Sequence, residues 1–255
     1  GNIIVNAALT NAVNTTLQTA SGNIIFALAG NVTATGNMVT LSAVGGNVQG
    51  NAANQNDVTA QNLDITASTG IGNNVELETA VSTLTFSNTT SGNVAICNTL
   101  ISGLTASGSN LGGSVSVVET TGNLNVAAAG VTATGNVLLA APAGTVSLGG
   151  VVQASSGTLN LMGAGDITQT MALTAATLVV RQTSAIAGNI SLNLANDVNF
   201  LALNNAAASG TASFRDIDDL TVSGGPAVTA CGVIYAAVNG VTTNNGDVKL
   251  TTGGN

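Results

Sequence analysis

The sequence predicts an all-β solenoid, and three observations carry that expectation. A Gly-(Asn/Asp/Thr)-apolar unit recurs along all 255 residues, the runs between the units alternate apolar with small polar residues, and helix-forming material is missing. The expected fold is a right-handed parallel β-helix of about twelve coils of roughly 20 residues, some 60 Å long and occupying 1–255 as one continuous body.

The repeat comes first because it decides the fold. It stands at Gly22-Asn23-Ile24, Gly36-Asn37-Met38, Gly46-Asn47-Val48, Gly92-Asn93-Val94, Gly122-Asn123-Leu124, Gly135-Asn136-Val137, Gly165-Asp166-Ile167, Gly188-Asn189-Ile190 and Gly246-Asp247-Val248. A longer echo links Ser21–Asn37 to Thr121–Asn136, which suggests a supra-repeat of several coils. Gly and Asn supply the corners, on the expectation that tight turns need left-handed backbone. Pro142 and Pro226 are expected at corners too.

The strands follow from period-two alternation. Val39-Thr40-Leu41-Ser42, Leu63-Asp64-Ile65-Thr66, Val115-Ser116-Val117 and Leu220-Thr221-Val222-Ser223 all send apolar side chains one way and polar ones the other. Gly interrupts every helix-length window, and charges are too few for i,i+4 pairs. A sandwich would need hairpins and strands of distinct identity. Here each segment resembles its neighbours, so coils stack directly, and Asn at equivalent corners can form amide ladders.

Composition agrees and excludes several functions. Charged residues are 5% of the chain, His and Trp are absent, and Gly and Asn contribute 32 residues each. The apolar material is mostly Ala, Val, Leu and Ile, which suits a narrow layered core. Three cations in a chain of net charge −8 offer no phosphate-neutralising patch, so no nucleic-acid partner is expected. No apolar run is long enough for a transmembrane segment.

Ser91-Gly-Asn-Val-Ala-Ile, Gly165-Asp-Ile-Thr-Gln-Thr, Ala175-Ala-Thr-Leu-Val-Val, Phe214–Val222 and Gly240–Gly254 resemble the repeat regions of giant secreted bacterial proteins of the filamentous-haemagglutinin type. These are exported by two-partner or autotransporter routes, and the resemblance covers nearly the whole chain. It implies a parallel β-helix serving as a stalk or fibre. Nothing in the chain matches that family's amino-terminal secretion domain.

Candidate sites are few. Asp216, Asp218 and Asp219 beside Arg215 could hold Ca²⁺, with Asp216 and Asp218 on one strand face, but the spacing lacks the Gly and Glu of a Ca²⁺ loop. A solvated turn with Arg215 pairing locally is the expectation. Glu76 and Glu78 share a strand face and read as solubilising. Asp57, Asp64, Glu119, Asp166, Asp197 and Asp247 are scattered, and Tyr235 stands alone. Without His there is no imidazole base or metal ligand. Cys97 and Cys231, 134 residues apart, would lie about six coils or roughly 30 Å from each other, so no intramolecular disulfide is expected. They read as small buried hydrophobes or as intermolecular cross-links. Thr33-Ala34-Thr35 and Thr132-Ala133-Thr134 do not recur in every coil, which argues against an ice-binding array. The sequons at Asn14, Asn31, Asn88 and Asn189 carry no function here.

No catalytic, cofactor-binding or metal residue is assigned, and no enzyme is expected. The function expected is an extracellular or cell-surface bacterial fibre that self-associates end to end or laterally. The alternatives are the stalk of a secreted adhesin, contacting host or neighbouring-cell surfaces through a module elsewhere, and then a polysaccharide-active β-helix enzyme. Thr251–Asn255 could run on into a segment like Gly1–Val5, by continuation or by stacking.

Overall fold

The computed structural model describes residues 1–52 and 55–253, and every strand among them belongs to, or leaves from, a parallel β-solenoid without helices. Gly254 and Asn255, part of the expected end-to-end junction, lie outside the described residues. No helix is long and apolar enough to cross a membrane.

Side-chain identity sets the stacking. Ile3, Ile24, Val48, Ile71, Val94, Val115, Val137, Leu159, Leu178, Leu201 and Val222 lie in register on one face, each bridged to the next in parallel. Ten steps over 219 residues give about 22 residues per coil and, at about 4.8 Å per step, an axial length near 48 Å. The expected twelve coils of 20 residues are therefore about ten longer ones. A second column runs Leu104, Leu124, Val146, Ile167, Ile190, Ala212, Val248.

The inward residues form a single apolar cluster from Val5 to Phe214. β-branched and γ-branched aliphatics recur at the same height in each coil, so every layer packs on a near-copy of itself. At Phe86 the next layer yields: the ring pairs with Gly108, where a Cβ would sit 2.5 Å from it.

The Gly-Asn unit works differently from the expectation. Only Gly36, Gly92 and Gly188 among its glycines have positive φ. At Gly46, Gly113 and Gly144 a Cβ would meet the backbone of the coil beneath at 2.2–2.4 Å and the Asn Oδ1 of that coil at 2.5–2.7 Å. Glycine is needed there for close axial approach. The Asn that follows points its amide oxygen along the axis, where it accepts the backbone N–H of the equivalent residue one coil on. Asn23 takes Asn47 N at 3.0 Å, Asn93 takes Ser114 N at 3.0 Å, Asn123 takes Thr145 N at 2.9 Å, and Asn189 takes Thr211 N at 2.9 Å. These ladders run side chain to backbone, and they satisfy corner N–H groups outside the strand ladder. At an inner corner the expected amide-to-amide contact does occur: buried Asn88 donates to Asn110 Oδ1 at 2.8 Å, and it also accepts Gly70 N at 2.9 Å.

Alternation holds at Val39–Ser42, Leu63–Thr66 and Val115–Val117. It fails at Leu220–Ser223, where only Thr221–Val222 is a strand and Val222 is exposed. It also fails in the opposite sense, with every residue buried, at Val137–Ala141 and from Leu159 and Leu178 to the ends of their strands. Both failures have one cause. After Val222 the chain leaves the coil and returns at Val241, so that Leu201 and Leu203 of the coil below pair with Val222 and Val241 respectively. Between them, Gly224–Gly225 pairs antiparallel with Val238–Asn239, and Val228–Ala230 with Val233–Tyr235. This hairpin lies along the outer face of the sheet and covers Val118, Leu138, Ala140 and Met162 with Ala230 and Tyr235, and Val179 and Ala202 with Val238. Pro226 belongs to it, whereas Pro142 does occupy a corner turn.

Candidate functional site

The hairpin's length matches its reach. From Ser223 to Cys231 is eight residues, about 26 Å of extended chain. The sheet positions it crosses, Asn204, Arg181, Met162, Ala140, Val118 and Cys97, are successive rungs in register. Five steps amount to about 24 Å. The turn Cys231-Gly232 has φ of 51° and 69°, the two left-handed residues of a tight two-residue hairpin. It therefore arrives above Cys97, and the two cysteines form a disulfide with Cα atoms 5.7 Å apart.

This overturns the expectation of no intramolecular bridge. The coils of Cys97 and Val222 are indeed several steps apart along the axis, but Cys231 does not sit in the coil stack. A chain segment running antiparallel to the axis brings it back. Neither cysteine is free for an intermolecular cross-link.

Two further anchors hold this clasp. The buried Arg181 guanidinium donates from Nε to Ala236 O at 2.6 Å, from Nη2 to Pro226 O at 2.6 Å and from Nη1 to Asn160 Oδ1 at 3.0 Å. Burial lowers its pKa, and among the described residues no carboxylate pairs with it. At the base, Gly225 lies flat on Val179, whose methyls would stand 2.4 Å from a Cβ. Tyr235 is buried with its hydroxyl unpartnered among the described residues, and burial, followed by Glu76, pushes its pKa up to about 12.

A cleft of about 450 Å³ opens at the tip, lined by Gln55, Glu76, Glu78, Cys97, Thr120 and Cys231 among others. Glu76 and Glu78 share this face as the alternation required, and Glu76 contacts the clasp. Glu76 Oε1 accepts the Cys231 N–H at 2.9 Å, and Oε2 lies 3.3 Å from Cys97 Sγ. Burial raises the Glu78 pKa, Glu76 adds to that, and Glu78 Oε2 is buried without a hydrogen-bond partner among the described residues. Beneath them Asp57 is fully buried. Its carboxylate accepts Asn51 N at 3.1 Å, Asn51 Nδ2 at 2.6 Å and Glu78 N at 3.0 Å. Desolvation nevertheless raises its pKa to about 7. Asp57 holds a proton near neutrality but has no surface from which to pass it to a substrate. Glu76, Cys97 and Cys231 place their ligand atoms within 4.8 Å of one another, yet the two sulfurs are bonded together and offer no thiolate to a metal.

The Ca²⁺ candidates do not converge. Asp216 turns inward to a corner, fully buried, where Oδ1 accepts Val198 N at 3.1 Å and Oδ2 has no hydrogen-bond partner among the described residues. Burial, then the adjacent Asp218, raises its pKa to about 6. Asp218 and Asp219 are exposed, as is Arg215. Glu119 stands apart from the other acids in the sequence. It is a buried corner carboxylate that accepts Leu100 N at 3.1 Å, Thr121 N and Gly122 N at 3.0 Å and Asn98 Nδ2 at 2.5 Å. Asn88, one of the sequons, is buried in the corner ladder. Thr10, Thr33 and Thr59 stack over three coils, and the other in-register Thr pairs, Thr16 with Thr40, Thr83 with Thr105 and Thr158 with Thr177, span two.

Fold and site together define a parallel β-solenoid with a disulfide-tied hairpin clasp. No family model matches the chain, and no curated protein or solved structure matches it.

Proposed function

We propose that this chain is a structural segment of an extracellular fibre or matrix filament on a bacterial surface, non-enzymatic and built to give length and resistance to unfolding. One observation carries the reading. In coil after coil the strand ladder is supplemented by Asn side chains bonding to the coil above, so the rod is cross-bridged at its corners as well as along its faces. The clasp supports it, because it ties five further steps together with a covalent bond that persists in oxidising compartments such as the cell exterior. The resemblance to filamentous-haemagglutinin repeats points the same way. Self-association, end to end or laterally, is the partner interaction this role needs.

Electron microscopy of native material tests the proposal. Filaments with a meridional repeat near ~4.8 Å support it. Compact isolated particles, together with cleavage in a glycan screen, would overturn it.

A further inference from the structure

The returning strand of the clasp leaves a groove of about 580 Å³ between itself and the sheet, in the range that small-molecule sites occupy. Its floor is Met162, Tyr235 and Val238, all buried and largely apolar, and the exposed Ile234 forms a rim. Arg181 and Asn204 supply the polar wall.

That wall is rich in donors and short of acceptors. Arg181 is 3% exposed, and its three bonds all go to neutral oxygens. A guanidinium carries five N–H groups, so two of them have no protein partner among the described residues. Asn204 is the next rung of the same column. Its Oδ1 accepts the Thr242 hydroxyl at 2.8 Å, which leaves its NH₂ donors unpartnered among the described residues. A buried positive charge without a counter-ion is costly, and a carboxylate or sulfonate can accept from a guanidinium and an amide together. A neutral apolar guest would leave those donors unsatisfied, and a cation would be repelled.

We propose that this groove is a binding site for a small amphipathic organic anion, with its apolar body on Met162, Tyr235 and Val238 and its anionic head on Arg181 and Asn204. The inference is independent of the fibre role.

The experiment is a fluorescence titration of the oxidised full chain with 8-anilinonaphthalene-1-sulfonate, followed by displacement with decanoate or decanol. One-to-one saturation is expected, with decanoate displacing the probe at a concentration at least about tenfold below decanol, a factor set by the charge-assisted bonds. Asn204→Asp keeps the shape and the acceptor for Thr242 but supplies an internal carboxylate beside Arg181. It should weaken probe binding at least about tenfold while leaving the denaturation midpoint unchanged or higher. Thr242→Glu, at an exposed position, repeats the test without touching a buried residue. Non-saturating binding, equal displacement by decanol, or wild-type affinity in both variants would overturn the proposal.

Discussion

Replacing Cys231 with Ser removes the covalent tie and little else. The bond closes a loop with a sequence separation of 134 residues. In the chain-entropy account a loop of that length restricts the unfolded chain by about 5 kcal/mol at 25 °C, slightly more than the ~4.7 of a 100-residue loop. Coils of a solenoid otherwise contact only their neighbours, so the tie also prevents the coils from Cys97 to Val222 fraying one by one. With a guanidinium m-value of about 5 kcal/mol/M, the midpoint of Cys231→Ser should fall by about 1 M. A phosphine reductant should lower the wild-type midpoint equally and leave the variant where it is. Non-reducing peptide mapping should recover Cys97 joined to Cys231 within one chain. A midpoint shift below about 0.2 M, or an equal effect of reductant on both proteins, would refute the reasoning. So would a Cys97–Cys231 link found only between chains.

Stability should also depend on pH through Asp57, whose pKa rises from 3.8 to about 7 on folding. The folded chain binds the extra proton between those values, so this contribution is complete below about pH 4 and is lost as pH rises through 7, by up to about 4 kcal/mol. Asp216, raised to about 6, acts in the same direction. Denaturation midpoints measured from pH 4 to 8 should fall, and Asp57→Asn should flatten the profile. A profile that rises with pH would contradict the assignment. Gly46→Ala should cost about 2–3 kcal/mol or more by thermal melting, because its Cβ would meet Gly22 O at 2.2 Å. Gly36→Ala meets nothing within 4 Å and carries only left-handed strain at φ 74°, about 1 kcal/mol. Equal losses would mean that axial stacking is not what the corners demand.

The repeat legible in the sequence reaches the structure almost unchanged. Apolar residues at period two, set between Gly-Asn units, sufficed for an all-β parallel stack with the core at Leu41, Ile65 and Val117. This follows because each contact in a solenoid is local to one coil and its neighbour, and near-identical coils make near-identical contacts. Nearly every coil is longer than 20 residues, and individual coils also vary in length, as between Ala106 and Gly108, where the ladder shifts register to admit part of Leu124–Ala133.

The clasp had a trace in the sequence. Val117-Val118, Val137–Ala141 and Leu178-Val179-Val180 abandon alternation, and a strand that is apolar on both faces must be covered on both. The lone Tyr235 sits in the segment that covers them. Nothing local, however, says which segment folds back or how far it runs. The Cys97–Cys231 bond and the contacts of Arg181 to Pro226 and Ala236 depend on a segment brought back from beyond its own coil, and the raised pKa of Asp57 on how deeply the neighbouring coil buries it. The sequence alone determined the rod, because a rod is made of short-range repetition. Only the tertiary structure decided the clasp, because an excursion along the axis is set by what it covers and not by its own pattern.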